Sequence, residues 1–255
     1  MCLILVAWQV HPAYPLVVAA NRDEFFRRPA LAARWWADQP GVFAGRDLEA
    51  GGTWLGLSRD GRFAGLTNYR DPHNIRPGTP SRGELVAGFL ASDESTEDAL
   101  KRLRVEGPRY NGFNLLVSDG SSLGIYESQS SQARLLTPGV YALSNHLLDT
   151  AWPKVVKGKS RLAAAVNALP DETPLLDMLR DDRPAPDEQL PRTGVSLAWE
   201  RMLSSAFIRA PGYGTRCSTV IRRDCEGWTR VTETTWDAVG LPAGQVTESF
   251  RTTCA

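Results

Sequence analysis

Histidine, methionine and cysteine are scarce in this chain of 255 residues, which has three, three and four of them. The cysteines, Cys2, Cys217, Cys225 and Cys254, are too few for a disulfide framework over this length. No two stand in C-x-x-C spacing, and His11, His73 and His146 lie far from them, so no metal site is expected. A charge imbalance is missing too: 29 Lys and Arg offset 29 Asp and Glu. That removes the basic footprint of a nucleic-acid or anionic-membrane binder. No apolar run approaches the roughly 20 residues of a membrane span. Residues 2–8 are apolar, but the run is short and no basic segment precedes it, so it does not read as a secretory leader. A cytoplasmic, reduced protein with a small-molecule partner is the expectation.

The rest of the composition is that of a folded globular chain, with 42% hydrophobic and 23% charged residues. The only Pro-rich stretch, 181–192, is too short to mark a boundary, so one domain over 1–255 is expected. Residues 2–10 and 16–20 are runs of Leu, Ile, Val and Ala divided by a turn, which predicts a central hairpin of buried strands. Asp60-Gly61, Asp119-Gly120 and Glu226-Gly227 each divide two short apolar runs and predict three more hairpins, the last closing the chain. A short strand follows at 140–143. Ser81-Arg82-Gly83-Glu84 has the form of a capping box with Ser81 as cap, before a helix with Leu85, Val86, Phe89 and Leu90 on one face. Further helices are expected at 95–104, 152–169, 173–180 and 196–205. Strand blocks separated by helix blocks predict an α+β layered sandwich with mainly antiparallel sheets.

Cys2 is the residue with the most specific chemical reading. With Met1 removed, its thiol and its own α-amine share one residue, and an amine of pKa near 8 can take the thiol proton. The plain alternative is a small buried residue opening a strand. Asn21-Arg22-Asp23-Glu24 follows a buried strand, where charges tend to end in a pocket or a buried network. Adjacent strand residues face opposite sides, so Arg22 and Asp23 enter one pocket only if the strand ends or bulges there. Asn68 and Asn145 read as turn residues or as amide donors. Arg216 reads equally as a strand-end charge, and Cys217 as a buried thiol. Trp35, Trp36 and Trp54 suit either a ligand pocket or the core. His146 suits a proton donor, a haem ligand or a structural role.

The ordered segments of the chain resemble the NRDE family, the transport and Golgi organisation protein 2-like proteins. Asn21-Arg22-Asp23-Glu24 carries the family's namesake tetrapeptide. Gly51-Gly52-Thr53-Trp54-Leu55-Gly56, Thr67-Asn68-Tyr69-Arg70-Asp71-Pro72, Asn111-Gly112-Phe113-Asn114-Leu115, Leu143-Ser144-Asn145, Asp149-Thr150-Ala151-Trp152-Pro153-Lys154-Val155 and Gly212-Tyr213-Gly214-Thr215-Arg216-Cys217 follow in family order. The family is more distantly similar to the cysteine N-terminal nucleophile hydrolases. The resemblance implies a four-layer αββα sandwich and a site of Cys2, Arg22, Asp23, Asn68, Asn145 and Arg216. In it Cys2 is nucleophile and base, Asp23 holds the ammonium and Arg22 tunes the thiolate. Asn68 and Asn145 supply oxyanion donors, and Arg216 steadies the site or meets substrate. Asn21, Glu24, Trp54, Tyr69 and His146 are the implied substrate contacts, with Glu24 as an alternative to Asp23. The implied activity is hydrolysis of an amide, thioester or ester. The alternative is a non-catalytic carrier of haem, a lipid or an acyl-CoA. No C-x-x-C-H motif is present, so haem would be held non-covalently, through His146, a Cys or no ligand at all.

Overall fold

A computed structural model describes residues 2–252. The expectations for Met1 and Cys254 lie outside the described residues. The chain begins with two long antiparallel strands, β1 (Cys2–His11) and β2 (Tyr14–Phe25), whose cores are apolar on both faces. Such strands need cover on both sides, and they get it by sitting in the middle of a sheet. The order is β10 (Gly139–Leu143), β1, β2, β12 (Tyr213–Arg223), β13 (Trp228–Trp236) and β14 (Pro242–Arg251), with β11 (Arg209–Ala210) beside β12. The second sheet runs in sequence order: β3 (Ala30–Trp35), β4 (Val42–Asp47), β5 (Leu55–Ser58), β6 (Phe63–Asn68), β7 (Phe113–Ser118), β8 (Leu123–Glu127) and β9 (Gln132–Leu136). Every pairing is antiparallel.

Side-chain alternation divides the apolar residues into three layers. Between the sheets, Ile4, Val6, Trp8, Val18 and Ile221 meet Phe43, Leu57, Phe63, Leu116 and Ile125. On the far face of the second sheet, Ala64, Val117 and Tyr126 are covered by α1 (Gly83–Leu90) and α2 (Thr96–Glu106). On the far face of the first, Leu3, Leu5, Val17, Ala19 and Val220 are covered by α3 (Pro153–Ala165) and α4 (Thr173–Leu179). The result is helix, sheet, sheet, helix: the expected four-layer αββα sandwich. A short α5 (Leu197–Leu203) packs Leu203 with Ile208 and Tyr213 beside α4's end of the first sheet.

Three expectations are corrected. The chain does not close on the β12–β13 hairpin, because β14 pairs along the whole of β13. Strands β3, β4 and β9, half exposed and weakly alternating, gave no clear signal. Asn21-Arg22-Asp23-Glu24 does not follow the second strand but lies within it, since β12 pairs with β2 as far as Phe25. Ser81 does not cap α1: the capping position is Arg82, in helical conformation, and the Glu84 carboxylate is drawn instead to the Tyr110 hydroxyl at 2.6 Å. Ser95, by contrast, caps α2, accepting from the Asp98 amide at 3.1 Å.

One glycine fixes how α1 meets the second sheet. A Cβ on Gly52 would lie 2.5 Å from the Gly83 carbonyl carbon, so only glycine permits this approach. The Thr53 amide uses the closeness to donate to the Gly83 carbonyl at 3.2 Å.

Candidate active site

At the Cys2 end, the layer between the sheets changes from apolar to charged. Cys2 pairs with Arg22 across β1 and β2, and Arg22 with Cys217 across β2 and β12. All three continue the face that carries Ile4, Val18 and Ile221, and all three line a cavity of about 170 Å³. Glu24, Trp54, Asn68, Arg82, Arg216 and Glu233 are also on its wall.

A β-bulge shapes this end. Thr215 pairs with Asp23 and Cys217 with Arg22, leaving Arg216 as the extra residue. Its guanidinium donates to the carbonyls of Phe25 and Arg28, both at 2.9 Å, and lies over the Phe26 ring. Arg216 thus joins the cavity although alternation would have turned it away.

Alternation separates the other members of the tetrapeptide. Arg22 and Glu24 face the cavity, while Asn21 and Asp23 turn toward the helix layer, Asp23 still contributing to the cavity wall. Asn21 is fully buried: its amide donates to the carbonyls of Leu179 and Ala206, both at 2.8 Å, and its oxygen accepts from Ser218 at 2.6 Å. It is therefore a structural fastener between β2 and α4, not a substrate contact. Asp23 accepts from the Thr215 hydroxyl at 2.7 Å, and burial raises its carboxyl above the ordinary range against the pull of Lys154. Lys154, at the start of α3, is 4% exposed, its Nζ has no hydrogen-bond partner among the described residues, and burial lowers its pKa to about 8. Behind them Arg70 forms a buried ion pair with Glu200 at 3.0 Å and lies over the Trp152 ring.

Burial also raises the Cys2 thiol, which the Asp23 charge pushes further up and Arg22 pulls down. Cys217 is raised well above its usual range by burial and by Glu233. Both thiols are thus biased toward the protonated form. Cys225 is exposed, because it falls in the turn between β12 and β13.

Of the remaining expected residues, Asn68 lines the cavity. Asn145 does not line it: its amide donates to the Asn68 carbonyl at 2.9 Å, and it stands behind Asn68 as a support. Tyr69 and His146 pack against each other with tilted rings outside the cavity, with His146 Nδ1 2.9 Å from the Thr150 hydroxyl. Neither is placed to touch what binds beside Cys2. Trp54 is on the wall, whereas Trp36 is core, its indole donating to the Ala44 carbonyl, and Trp35 packs on Phe43 and Phe250. Sequence reasoning missed Arg82, Lys154, Arg70 and Glu200. The first was hidden inside the capping segment, and the next two stood in quoted motifs without a role.

Residues 1–238 match the family model described as Transport and Golgi organisation 2. The transport and Golgi organization protein 2 homolog of Bos taurus is 39% identical, covering 91% of this chain and 92% of its own length. The Homo sapiens homolog is also 39% identical with the same coverage. The Drosophila melanogaster protein is 29% identical, covering 89% of each chain. Among solved structures, the Caenorhabditis elegans ortholog of N-acylethanolamine-hydrolyzing acid amidase superposes with a TM-score of 0.47 at 10% identity, covering 86% of this chain and 92% of that one. A mutant conjugated bile acid hydrolase from Clostridium perfringens superposes with a TM-score of 0.45 at 11% identity, covering 100% and 98%.

Proposed function

The chain belongs to the Transport and Golgi organisation 2 family, and from that premise we propose that it hydrolyses an amide, thioester or ester bond through Cys2 once Met1 has been removed. The observation that carries this reading is the position of Cys2. It is the first residue of β1, opposite Arg22, on the wall of a cavity that Asn68 also lines.

Removal of Met1 exposes the α-amine of Cys2, whose pKa near 8 suits a base at neutral pH. The amine takes the thiol proton, which answers a thiol that burial holds protonated. The thiolate sulfur attacks the carbonyl carbon, and the Asn68 amide donates to the oxyanion that forms. Collapse breaks the scissile bond, and the α-ammonium returns its proton to the departing amine, thiol or alcohol. Water then releases the acyl group from Cys2, with the same amine as base. Arg22 favours the thiolate by its charge. Asp23 is the buried carboxylate whose field reaches Cys2, and it is assigned the counter-charge of the ammonium.

The test pairs intact mass with turnover. Purified protein is expected to lack Met1 and to cleave at least one of a panel of N-acyl amides, acyl thioesters and acyl esters, with a mass adduct on Cys2. Equal turnover by Cys2→Ala, or retention of Met1 in active protein, overturns the reading. A saturable Soret change on haem titration without any turnover would replace it with non-covalent haem carriage. Saturable binding of a lipid or an acyl-CoA without turnover would replace it with lipid carriage.

A further inference from the structure

The charged groups around the Cys2 cavity are unevenly paired. Asp47 is occupied by Arg28 at 2.6 Å and by the amides of Glu49 and Ala50, and Arg22 reaches it only at 3.5 Å. Arg46 turns outward and makes a two-pronged pair with Asp38 at 2.6 and 2.7 Å. Glu24 accepts from the Phe25 amide at 2.8 Å. Glu233 accepts from the Ala33 amide at 2.7 Å and the Thr219 hydroxyl at 3.0 Å, and burial favours its neutral form. The Glu24 charge reaches both Arg82 and Arg216, yet neither guanidinium meets a carboxylate directly. Arg82 donates to the Gly112 carbonyl at 2.9 Å and Arg216 to two backbone carbonyls, but among the described residues neither forms an ion pair. Arg22 Nη1 is buried without a hydrogen bond among the described residues. Cations taken partly out of water without a carboxylate are costly unless a ligand supplies the counter-charge. Guanidinium presents paired N–H donors that match a carboxylate or phosphate.

We infer that Arg82 and Arg216 form an anion subsite beside Cys2, and that the substrate carries a carboxylate or phosphate group on the part of the molecule seated there. This rests on the hydrolase reading for the word substrate. The subsite itself is defined only by access of an anion to Cys2. Arg82 is thereby a specificity-determining residue, recruited by the same helix start that failed to use Ser81 as a cap.

The test compares iodoacetate with iodoacetamide. In both, the thiolate sulfur displaces iodide and forms an S–CH₂ bond, and the reagents differ only in the charge beside the reacting carbon. Modification of Cys2 and of exposed Cys225 is followed in the same molecule by peptide mass mapping, so Cys225 supplies the reference away from the cavity. The iodoacetate-to-iodoacetamide rate ratio is expected to be at least tenfold higher at Cys2 than at Cys225. It should fall at least fivefold in Arg82→Gln and Arg216→Gln, and fall little in Arg82→Lys, with the Cys225 ratio unchanged. Acetate and inorganic phosphate, added separately, identify the preferred anion by which of them protects Cys2 at lower concentration. Equal ratios at the two cysteines, a ratio insensitive to both glutamine variants, or a Cys2 inert to both reagents overturns the subsite. Charge selectivity without turnover of any acyl substrate sustains the subsite and removes the hydrolase reading. Turnover without selectivity does the reverse.

Discussion

The two faces of residues 21–24 have opposite characters although the residues are neighbours on one strand. On the helix side, Asn21 has every polar atom of its side chain bonded, and Asp23, Lys154, Arg70 and Glu200 form a buried charged layer. On the cavity side, Arg22, Glu24, Arg82 and Arg216 are incompletely paired, and the cavity next to them is open to a small molecule. A buried hydrogen-bonded network holds elements together, whereas donors without a direct carboxylate partner in a cavity are available for binding. The motif thus fastens the fold with one face and furnishes the site with the other.

Substitutions of bonded residues on the helix face should therefore cost stability, and those on the cavity face chemistry. The largest loss is expected from Arg70→Met, which strands the buried Glu200 carboxylate: about 3–5 kcal/mol in urea unfolding. A loss below 1 kcal/mol would break the comparison. Asn21→Ala leaves two carbonyls and the Ser218 hydroxyl without their partner, for about 3 kcal/mol. It should leave the rate of Cys2 alkylation in the folded protein unchanged.

Lys154→Met sharpens the helix-side account through pH. The pKa of Lys154 falls from 10.5 to about 8 on folding, so the folded state disfavours its charge. The resulting destabilisation is full below about pH 8 and fades as pH rises toward 10.5. The variant should exceed the wild type by about 2 kcal/mol at pH 7, less than the full linkage value because Asp23 also loses its facing cation. Urea midpoints at pH 7 and pH 10 check this: the gap should close, and a constant gap would contradict it. Arg22→Met, on the cavity face, should change stability by less than about 1 kcal/mol, since its pair with Asp47 is long. Its effect belongs to chemistry: the pH profile of Cys2 alkylation by iodoacetamide should move to higher pH, because Arg22 lowers that thiol's pKa.

Much of the layered fold was legible in the sequence. The apolar runs of β1 and β2 demand cover on both faces, and the three Asp-Gly or Glu-Gly turns mark their hairpins. Strands β3, β4, β9 and β14 were not legible, because edge or half-exposed strands carry little hydrophobic pattern. The site was legible in part. Cys2, Arg22, Glu24, Asn68 and Arg216 meet at one cavity in this structure, while Asn21, Tyr69, Asn145 and His146 are directed elsewhere.

The sequence by itself determined the period of each strand, and so that Arg22 and Asp23 would face opposite ways. It also determined that a cysteine would open the first buried strand. The tertiary structure decided which face became a cavity and which became core. The bulge that turns Arg216 inward arises from pairing between residues almost two hundred positions apart, and the close approach of Gly52 to Gly83 sets the start of α1 on the cavity wall. Neither contact is local, so no stretch of sequence read alone contains it.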